Sequence, residues 1–484
     1  MVRTRFAPSP TGYLHIGGLR TALYAYLFAK KNGGKFILRI EDTDQNREVA
    51  GAVDIIISAL DKAGIHYDEG PIVGGDYGPY VQSERKEIYL KYAQQLLESG
   101  DAYCCFCSKE RLAEMHEKGA TKYDKHCLHL SKQEVQERIA RGEPYVIRQN
   151  IPKSGTHTYH DEVFGDVTVD YKDLEDNILI KSDGMPTYNF ANVIDDHLMG
   201  ITHCIRGVEY LMSTPKYNLL YDALGWERPV YIHLQPIMRD SQHKLSKRDG
   251  DAGFEDFLRK GFLPHAIVNY IALLGWNPKD NNEKMSMAEL TDKFSIEGLQ
   301  KSSSIFDETK MRWLNSLYVK EMSAEDFHAA ALPYYNVYYP NKDIDYKYLS
   351  ELLQSRVEVL SDIKERAAFL NAFDNFDIEL FVNKKWKTTV DMARELIDDC
   401  IAATDSENTD NTDLALLTEL SGLNTALEQL AERKGLKKGQ VLWIYRIALT
   451  GAAATPGGGE EMVKLFGKAE ALRRLNEVKK ILGA

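Results

Sequence analysis

The sequence predicts an α/β protein, with a parallel-sheet core split by an inserted α+β subdomain and followed by an all-α C-terminal region. Three observations carry that prediction. An extended segment, a Pro/Gly loop, a helix and an apolar run follow one another within the first 38 residues, the order of a β-loop-α-β unit. A stretch of different character, holding four of the six cysteines, interrupts the strand-like pattern between about residues 75 and 180. From about residue 320 onward the apolar spacing is almost purely helical. A chain of 484 residues is too long for one core, so several are expected.

Composition narrows the class. With 44% apolar and 27% charged residues, disordered, collagen-like and disulfide-scaffold chains are excluded. A net charge of -12 excludes a wholly basic nucleic-acid coat but leaves room for local basic faces. The longest apolar candidate, Ala266 to Trp276, has the length of a core helix, so no membrane partner is expected. The first five residues, Met1-Val2-Arg3-Thr4-Arg5, lack an apolar leader, and six cysteines are too few for a disulfide framework. A reducing cytoplasmic setting is expected.

Residues 2 to 7 read as a strand, and Pro8-Ser9-Pro10-Thr11-Gly12 must be loop because two prolines and a glycine end ladder and helix alike. A helix opens near His15, with Leu19, Leu23, Tyr26, Leu27 and Lys30 on one face, and Asn32-Gly33-Gly34 stops it before Phe36-Ile37-Leu38. Ligands of such units bind beyond the carboxyl ends of the strands, where the loop of residues 8 to 18 lies. Gly74-Gly75 and Gly78-Pro79 open the insert, and Ile178-Leu179-Ile180 returns to strand. In the tail, Leu349, Leu352, Leu353, Val357 and Leu360 share a helical face, and Thr404 to Thr412 form a polar linker. Charge is polarised there: residues 391 to 432 hold eleven acidic and one basic side chain (-10), and residues 433 to 484 eleven basic and four acidic (+7). The second stretch suits phosphate contact, or a solvated helical face.

Neither Gly-x-Gly-x-x-Gly after the first strand nor Gly-x4-Gly-Lys-Ser/Thr is present, which disfavours dinucleotide oxidoreductases and P-loop NTPases. The first turn instead holds Pro10, Thr11, Gly12, His15, Gly17 and Gly18 at a helix N-terminus, where free N-H groups and the helix dipole attract phosphate. A plain capped helix start is the other reading. Further on, 229 residues after His15, Lys244-Leu245-Ser246-Lys247-Arg248 puts three cations in five residues, which suits a polyphosphate or a solvated loop.

Together, His15-Ile16-Gly17-Gly18 and Lys244-Leu245-Ser246-Lys247-Arg248 resemble the paired ATP-binding motifs of class I aminoacyl-tRNA synthetases. Arg39-Ile40-Glu41-Asp42-Thr43-Asp44, Tyr188 to His197, Ile205-Arg206-Gly207, Ser213-Thr214-Pro215-Lys216, Phe306-Asp307 with Lys310 and Trp313, and Arg446 to Gly451 sharpen the resemblance to bacterial-type glutamyl-tRNA synthetases over nearly the whole chain. It implies a Rossmann-like catalytic core (1-74 and 181-238), an acceptor-binding insert (75-180), a stem-contact domain (239-322) and two helical anticodon-binding domains (323-376 and 377-484). It further implies a soluble monomer that uses ATP with Mg2+ to activate L-glutamate and passes it to tRNA-Glu, or also to tRNA-Gln.

The residue roles come with the resemblance. His15, Lys244 and Lys247 would neutralise the triphosphate, with Pro10, Thr11, Gly12, Gly17, Gly18 and Ser246 around it and Glu209 on the ribose. Arg5 and Arg206 would grip the two carboxylates of glutamate, Glu41 its ammonium, and Ser9, Tyr188 and Asn192 would complete that site. Three positions depart from the usual pattern: Gly18 stands in place of a second histidine, and Val208 and Tyr210 flank Glu209 where relatives usually carry Glu and Trp or His. Cys105, Cys107, Cys127 and His129 match the Cys-x-Cys, Cys-x-His spacing of a structural zinc site, although buried reduced cysteines would also explain the cluster, and Cys104 and His126 are spare donors. A nucleotidylyltransferase would share the His-x-Gly cradle but has no use for the helical tail. A tail-less glutamyl-queuosine tRNA synthetase is disfavoured likewise, and a catalytically dead tRNA-binding scaffold would have no use for His15, Lys244 and Lys247.

Overall fold

A computed structural model describes residues 1-44, 49-245, 253-340, 342-405 and 421-484. The chain divides into two compact units, Met1–Arg259 with Pro264–Met311, and Lys260–Leu263 with Arg312–Ala484.

In the first unit, strand β1 (Arg3–Phe6) pairs in parallel with β2 (Lys35–Leu38), and helix α1 (Ile16–Lys31) crosses between them. The crossover is locally specified: His15 caps α1, its Nδ1 accepting the Gly17 N-H at 3.0 Å, and the Gly34 N-H closes the far end on the Ala29 carbonyl at 2.8 Å. The expected one-sided stripe on α1 is too narrow. Arg20, Ala22, Tyr24, Ala25 and Ala29 are buried as well. The reason is a second layer: the Tyr24 hydroxyl donates to the Ala272 carbonyl at 2.9 Å, and Arg20 donates to the Leu274 carbonyl at 2.6 Å.

Helix α2 (Ala52–Lys62) precedes the insert, whose first helix is α3 (Lys86–Ser99). There β3 (Ala102–Cys105) precedes α4 (Lys109–Glu117), α5 (Lys132–Ala140), β4 (Val146–Gln149), a hairpin of β5 (Thr156–Asp161) and β6 (Gly165–Asp170), and β7 (Ile178–Ile180). Strands β3, β4 and β7 form an antiparallel sheet, as an α+β insert requires. The chain then builds α6 (Tyr188–Leu198), β8 (His203–Gly207), α7 (Thr214–Leu224) and β9 (Val230–Leu234). Strands β8 and β9 run parallel, and the Thr202 N-H donates to the Arg3 carbonyl at 2.9 Å, which ties the start of β8 to β1. The insert shares this core: β5 joins β9 through the parallel pair Asp161↔Tyr231, and Tyr89, Ala93 and Leu96 bury with Phe190, Tyr217 and Leu220.

The second unit is helical. One hydrophobic cluster unites Phe327, Leu349, Ile397, Leu427, Ile444 and Leu475 from helices Ala324–Tyr338, Tyr346–Leu353, Val390–Asp405, Ser421–Arg433, Lys438–Thr450 and Lys468–Leu482. Such a core follows from the helical apolar spacing of the tail.

Candidate active site

A cavity of about 850 Å³ opens at the carboxyl ends of β1 and β8 and the N-terminus of α6, within the size range of small-molecule sites. Of the expected residues, Arg5, Ser9, Pro10, Thr11, Gly18, Glu41, Tyr188 and Arg206 line it. Sequence positions as far apart as Arg5 and Arg206 therefore meet in one hollow.

Charge in this hollow is organised by a buried ionic network. Arg5 Nε donates to both Asp196 oxygens at 3.0 and 3.2 Å, and Arg39 donates to Asp196 Oδ1 at 2.8 Å and to Glu41 Oε1 at 3.0 Å. Arg85 Nε, Gln82 and the Tyr89 hydroxyl all donate to Asp195 at 2.7 to 2.9 Å. Three guanidiniums thus face three carboxylates, which is how buried charge is tolerated. Arg206 stands outside that balance. It is 6% exposed, its Nε and Nη2 donate to the His233 ring at 3.1 Å and the Thr214 hydroxyl at 2.8 Å, and no carboxylate pairs with it among the described residues. Burial pushes the Glu41 carboxyl up to about 7, against the pull of Arg39 and Arg5.

Other expected residues sit elsewhere. Asn192 is buried one turn into α6, its amide donating to the Tyr188 carbonyl at 2.7 Å, and does not line the cavity. Gly12, Gly17 and Glu209 are also outside its lining, although the Glu209 carboxylate lies against Gly207, which is part of it. His15 spends its Nδ1 on capping α1. Lys244 is exposed at the end of a tight turn in which the Leu245 N-H donates to the Ile237 carbonyl at 3.0 Å. Ser246 and Lys247 lie outside the described residues. The chain rejoins at Gly253, which pairs antiparallel with His15, while the Phe254 N-H donates to the Leu14 carbonyl at 3.1 Å. The sequence reading gave no role to Lys181, which lines the cavity and donates to the Thr43 carbonyl at 2.9 Å. A cation placed directly after β7, at a strand's carboxyl end, was the available signal.

In the insert, the sulfurs of Cys105, Cys107 and Cys127 lie within 4.8 Å of one another, with Cys107 and Cys127 3.6 Å apart. A tetrahedron with Zn–S bonds of about 2.3 Å has edges of about 3.8 Å, so the three fit a zinc ion. The fourth expected donor, His129, does not join these sulfurs. His129 is exposed and outside the cluster, because a 3-10 turn over His126–His129 aims the residue two after Cys127 away from it. The Tyr123 hydroxyl sits there instead, 3.2 Å from Cys105 Sγ and 3.4 Å from Cys107 Sγ, and accepts from the Cys127 N-H at 3.1 Å. Cys104, the neighbour of Cys105 along β3, is buried apart from the cluster.

The second unit carries its own hollow, about 590 Å³, lined by Trp386, Trp443, Lys437, Lys438 and Arg446. The Arg446 guanidinium lies 4.8 Å from the centre of the Trp443 ring.

Comparison with known proteins agrees with this geometry. Residues 1-313 match the catalytic domain of "tRNA synthetases class I (E and Q)", and residues 326-479 match "Anticodon binding domain". A glutamate–tRNA ligase of Clostridium botulinum is 52% identical over 481 residues, covering 98% of both chains, and one of Clostridium tetani is 52% identical over 479 residues, covering 98% of this chain and 96% of the relative. The crystal structure of a glutamate tRNA ligase from Elizabethkingia meningosepticum, in complex with its amino acid, superposes with a TM-score of 0.88 at 35% identity over 99% of each chain. One from Elizabethkingia anophelis gives 0.87 at 36% identity over the same share. A nucleotidylyltransferase or a tail-less enzyme gains no support from matches of this length. The chain belongs to the glutamate–tRNA ligase family of class I tRNA synthetases.

Proposed function

We propose that the cavity of the first unit joins L-glutamate to ATP and then to tRNA-Glu, with Arg206 as the grip on the substrate's side-chain carboxylate. The observation that carries this reading is the uncompensated guanidinium of Arg206 in the same hollow as the Glu41 carboxyl. An amino acid with two carboxylates and one ammonium supplies the charges that hollow lacks. Arg5, held by Asp196, keeps to a supporting place beside it.

In the first step the glutamate α-carboxylate oxygen bonds to the α-phosphorus of ATP, the bond to the β-phosphate bridge oxygen breaks, and pyrophosphate leaves. Positioning and neutralisation suffice for such a transfer. His15 at the head of α1, with Lys244 and Lys247, supports the leaving charge; Mg2+ arrives as part of the ATP substrate. In the second step a hydroxyl of the terminal adenosine of tRNA attacks the acyl carbon and AMP departs. A grip built on a full positive charge rejects neutral glutamine, which would leave that charge unpaired.

The sulfurs of Cys105, Cys107 and Cys127, with the Tyr123 oxygen, would hold a zinc ion whose task is structural, closing the knuckle between β3 and the His126–His129 turn. Residues 75-180 then serve as the acceptor-end insert, 239-322 as the stem contact, and 323-376 with 377-484 as the anticodon-binding part. The Trp386, Trp443 and Arg446 hollow suits an unstacked base, since aromatic faces and cations are what single-stranded RNA finds favourable. None of the six cysteines forms a disulfide, which suits the cytoplasm where translation occurs.

Isotope exchange between pyrophosphate and ATP, run with glutamate and with or without tRNA, tests the reading. Exchange that needs glutamate is expected; no exchange even with tRNA present would overturn it.

A further inference from the structure

Arg206 is positioned by an unusual partner. It sits on β8 in direct register with His233 on β9, so both side chains rise from the same face of the sheet. Arg206 Nε lies 3.1 Å from His233 Nε2. A guanidinium only donates, so this ring nitrogen must accept and the imidazole must be neutral with its proton on Nδ1. Asp161 enforces that tautomer. Its Oδ2 lies 2.6 Å from His233 Nδ1 and also takes the His233 backbone N-H at 3.1 Å. Its Oδ1 takes the N-H groups of Val163 and Phe164 at 3.0 and 2.9 Å. With four donors converging on it, Asp161 is an acceptor-only carboxylate. Asp161, His233 and Thr214 are fully buried. Burial, with Arg206 adding to it against the pull of Asp161, lowers the His233 ring to about 4, in keeping with a neutral imidazole.

The contrast with Arg5 gives the arrangement its meaning. Arg5 is held by a carboxylate and is therefore neutralised in place. Arg206 is held by a neutral ring and a hydroxyl, with Tyr217, Tyr210 and Tyr231 rings 4.7 to 5.3 Å away. Its Nη1 has no protein acceptor among the described residues. The fork is oriented while its charge stays available.

We propose that Asp161 and His233 are positioning residues for glutamate selection: Asp161 locks the acceptor face of His233 toward Arg206, which aims the guanidinium at the substrate's side-chain carboxylate without cancelling its charge. This rests on the reading of Arg206 as the carboxylate grip. Asp161→Asn removes the requirement for an Nδ1 proton, and His233→Glu replaces the neutral holder by a competing anion.

The test uses the full chain with tRNA present. Asp161→Asn should raise the KM for glutamate about tenfold or more, with kcat and the KM for ATP changed by no more than about twofold, because only one carboxylate contact is misaimed. His233→Glu should lower kcat/KM for glutamate at least about tenfold but leave that for glutamine nearly unchanged. An unchanged glutamate KM in folded Asp161→Asn, or an equal rise in the KM values of glutamate and ATP, would overturn the proposal. Arg206→Ala separates the two readings: if it leaves the glutamate KM unchanged, the grip itself is wrong, whereas a large rise there with none in Asp161→Asn defeats only the positioning role. Should the variants fail to fold, imidazole 15N shifts of the wild-type protein decide. A ring protonated on Nδ1 alone at neutral pH supports the proposal, and an imidazolium or an Nε2 proton overturns it.

Discussion

The carboxyl of Glu41 is caught between opposing influences, and the outcome is a testable pH dependence. Burial raises it from 4.5 to about 7, while Arg39 and Arg5 pull it down and Asp196 adds to the rise. A carboxyl raised on folding contributes stability that is fully present below its unfolded value and is lost as pH rises through about 7, so holding Glu41 ionised costs the fold something at neutral pH. As the proposed partner of the substrate ammonium, Glu41 must be ionised. The KM for glutamate should therefore fall as pH rises from below to above about 7, and Glu41→Gln should flatten that profile while raising the KM throughout. A steep profile that persists in Glu41→Gln would place the titration elsewhere. The same residue shows where sequence reasoning stops. Glu41 could be chosen from its motif, but the partners that set its charge could not: Asp196 lies 157 residues from Arg39, and nothing in local spacing announces that pair.

At the scale of elements, the turn between α1 and β2 holds two glycines with different duties. Gly33 has φ +60°, with open space where a Cβ would stand, whereas a Cβ on Gly34 would come 2.1 Å from the Val2 carbonyl oxygen. That oxygen also accepts the Lys35 N-H at 2.9 Å, the first contact between the chains of β1 and β2. Gly33→Ala should cost about 1 kcal/mol, the strain of a left-handed alanine. Gly34→Ala should cost about 3 kcal/mol, because backbone and not a flexible side-chain tip must move. Urea unfolding of both variants checks the order, and equal losses would contradict it. The β-loop-α-β unit itself was readable from two prolines, a helical period and the Asn-Gly-Gly stop. The second layer over α1 was not, since its partners Ala272 and Leu274 come from a distant stretch. The grouping of Cys105, Cys107 and Cys127 was legible in their spacing, but the Tyr123 hydroxyl beside them was not, since a spacing rule favours histidine over a phenol.

For the molecule as a whole, charge is spread unevenly along the chain. The acidic sum of -12 coexists with a C-terminal stretch of +7 and with Lys437, Lys438 and Arg446 around the hollow of the second unit. If that surface takes RNA, the KM for tRNA should rise by at least about tenfold between about 50 and 200 mM salt as counterions compete, while the KM for glutamate, set in a largely buried pocket, should change by less than about twofold. A tRNA KM indifferent to salt would remove the electrostatic account.

The β5–β6 hairpin belongs by sequence to the insert, yet it supplies the neighbour of β9 and, through Asp161, the proton arrangement behind Arg206. It is therefore no detachable cassette. A chimera that exchanges the insert with another enzyme's, cutting at its apparent edges, would carry off a member of the central sheet and leave amino-acid selection in the hands of the graft.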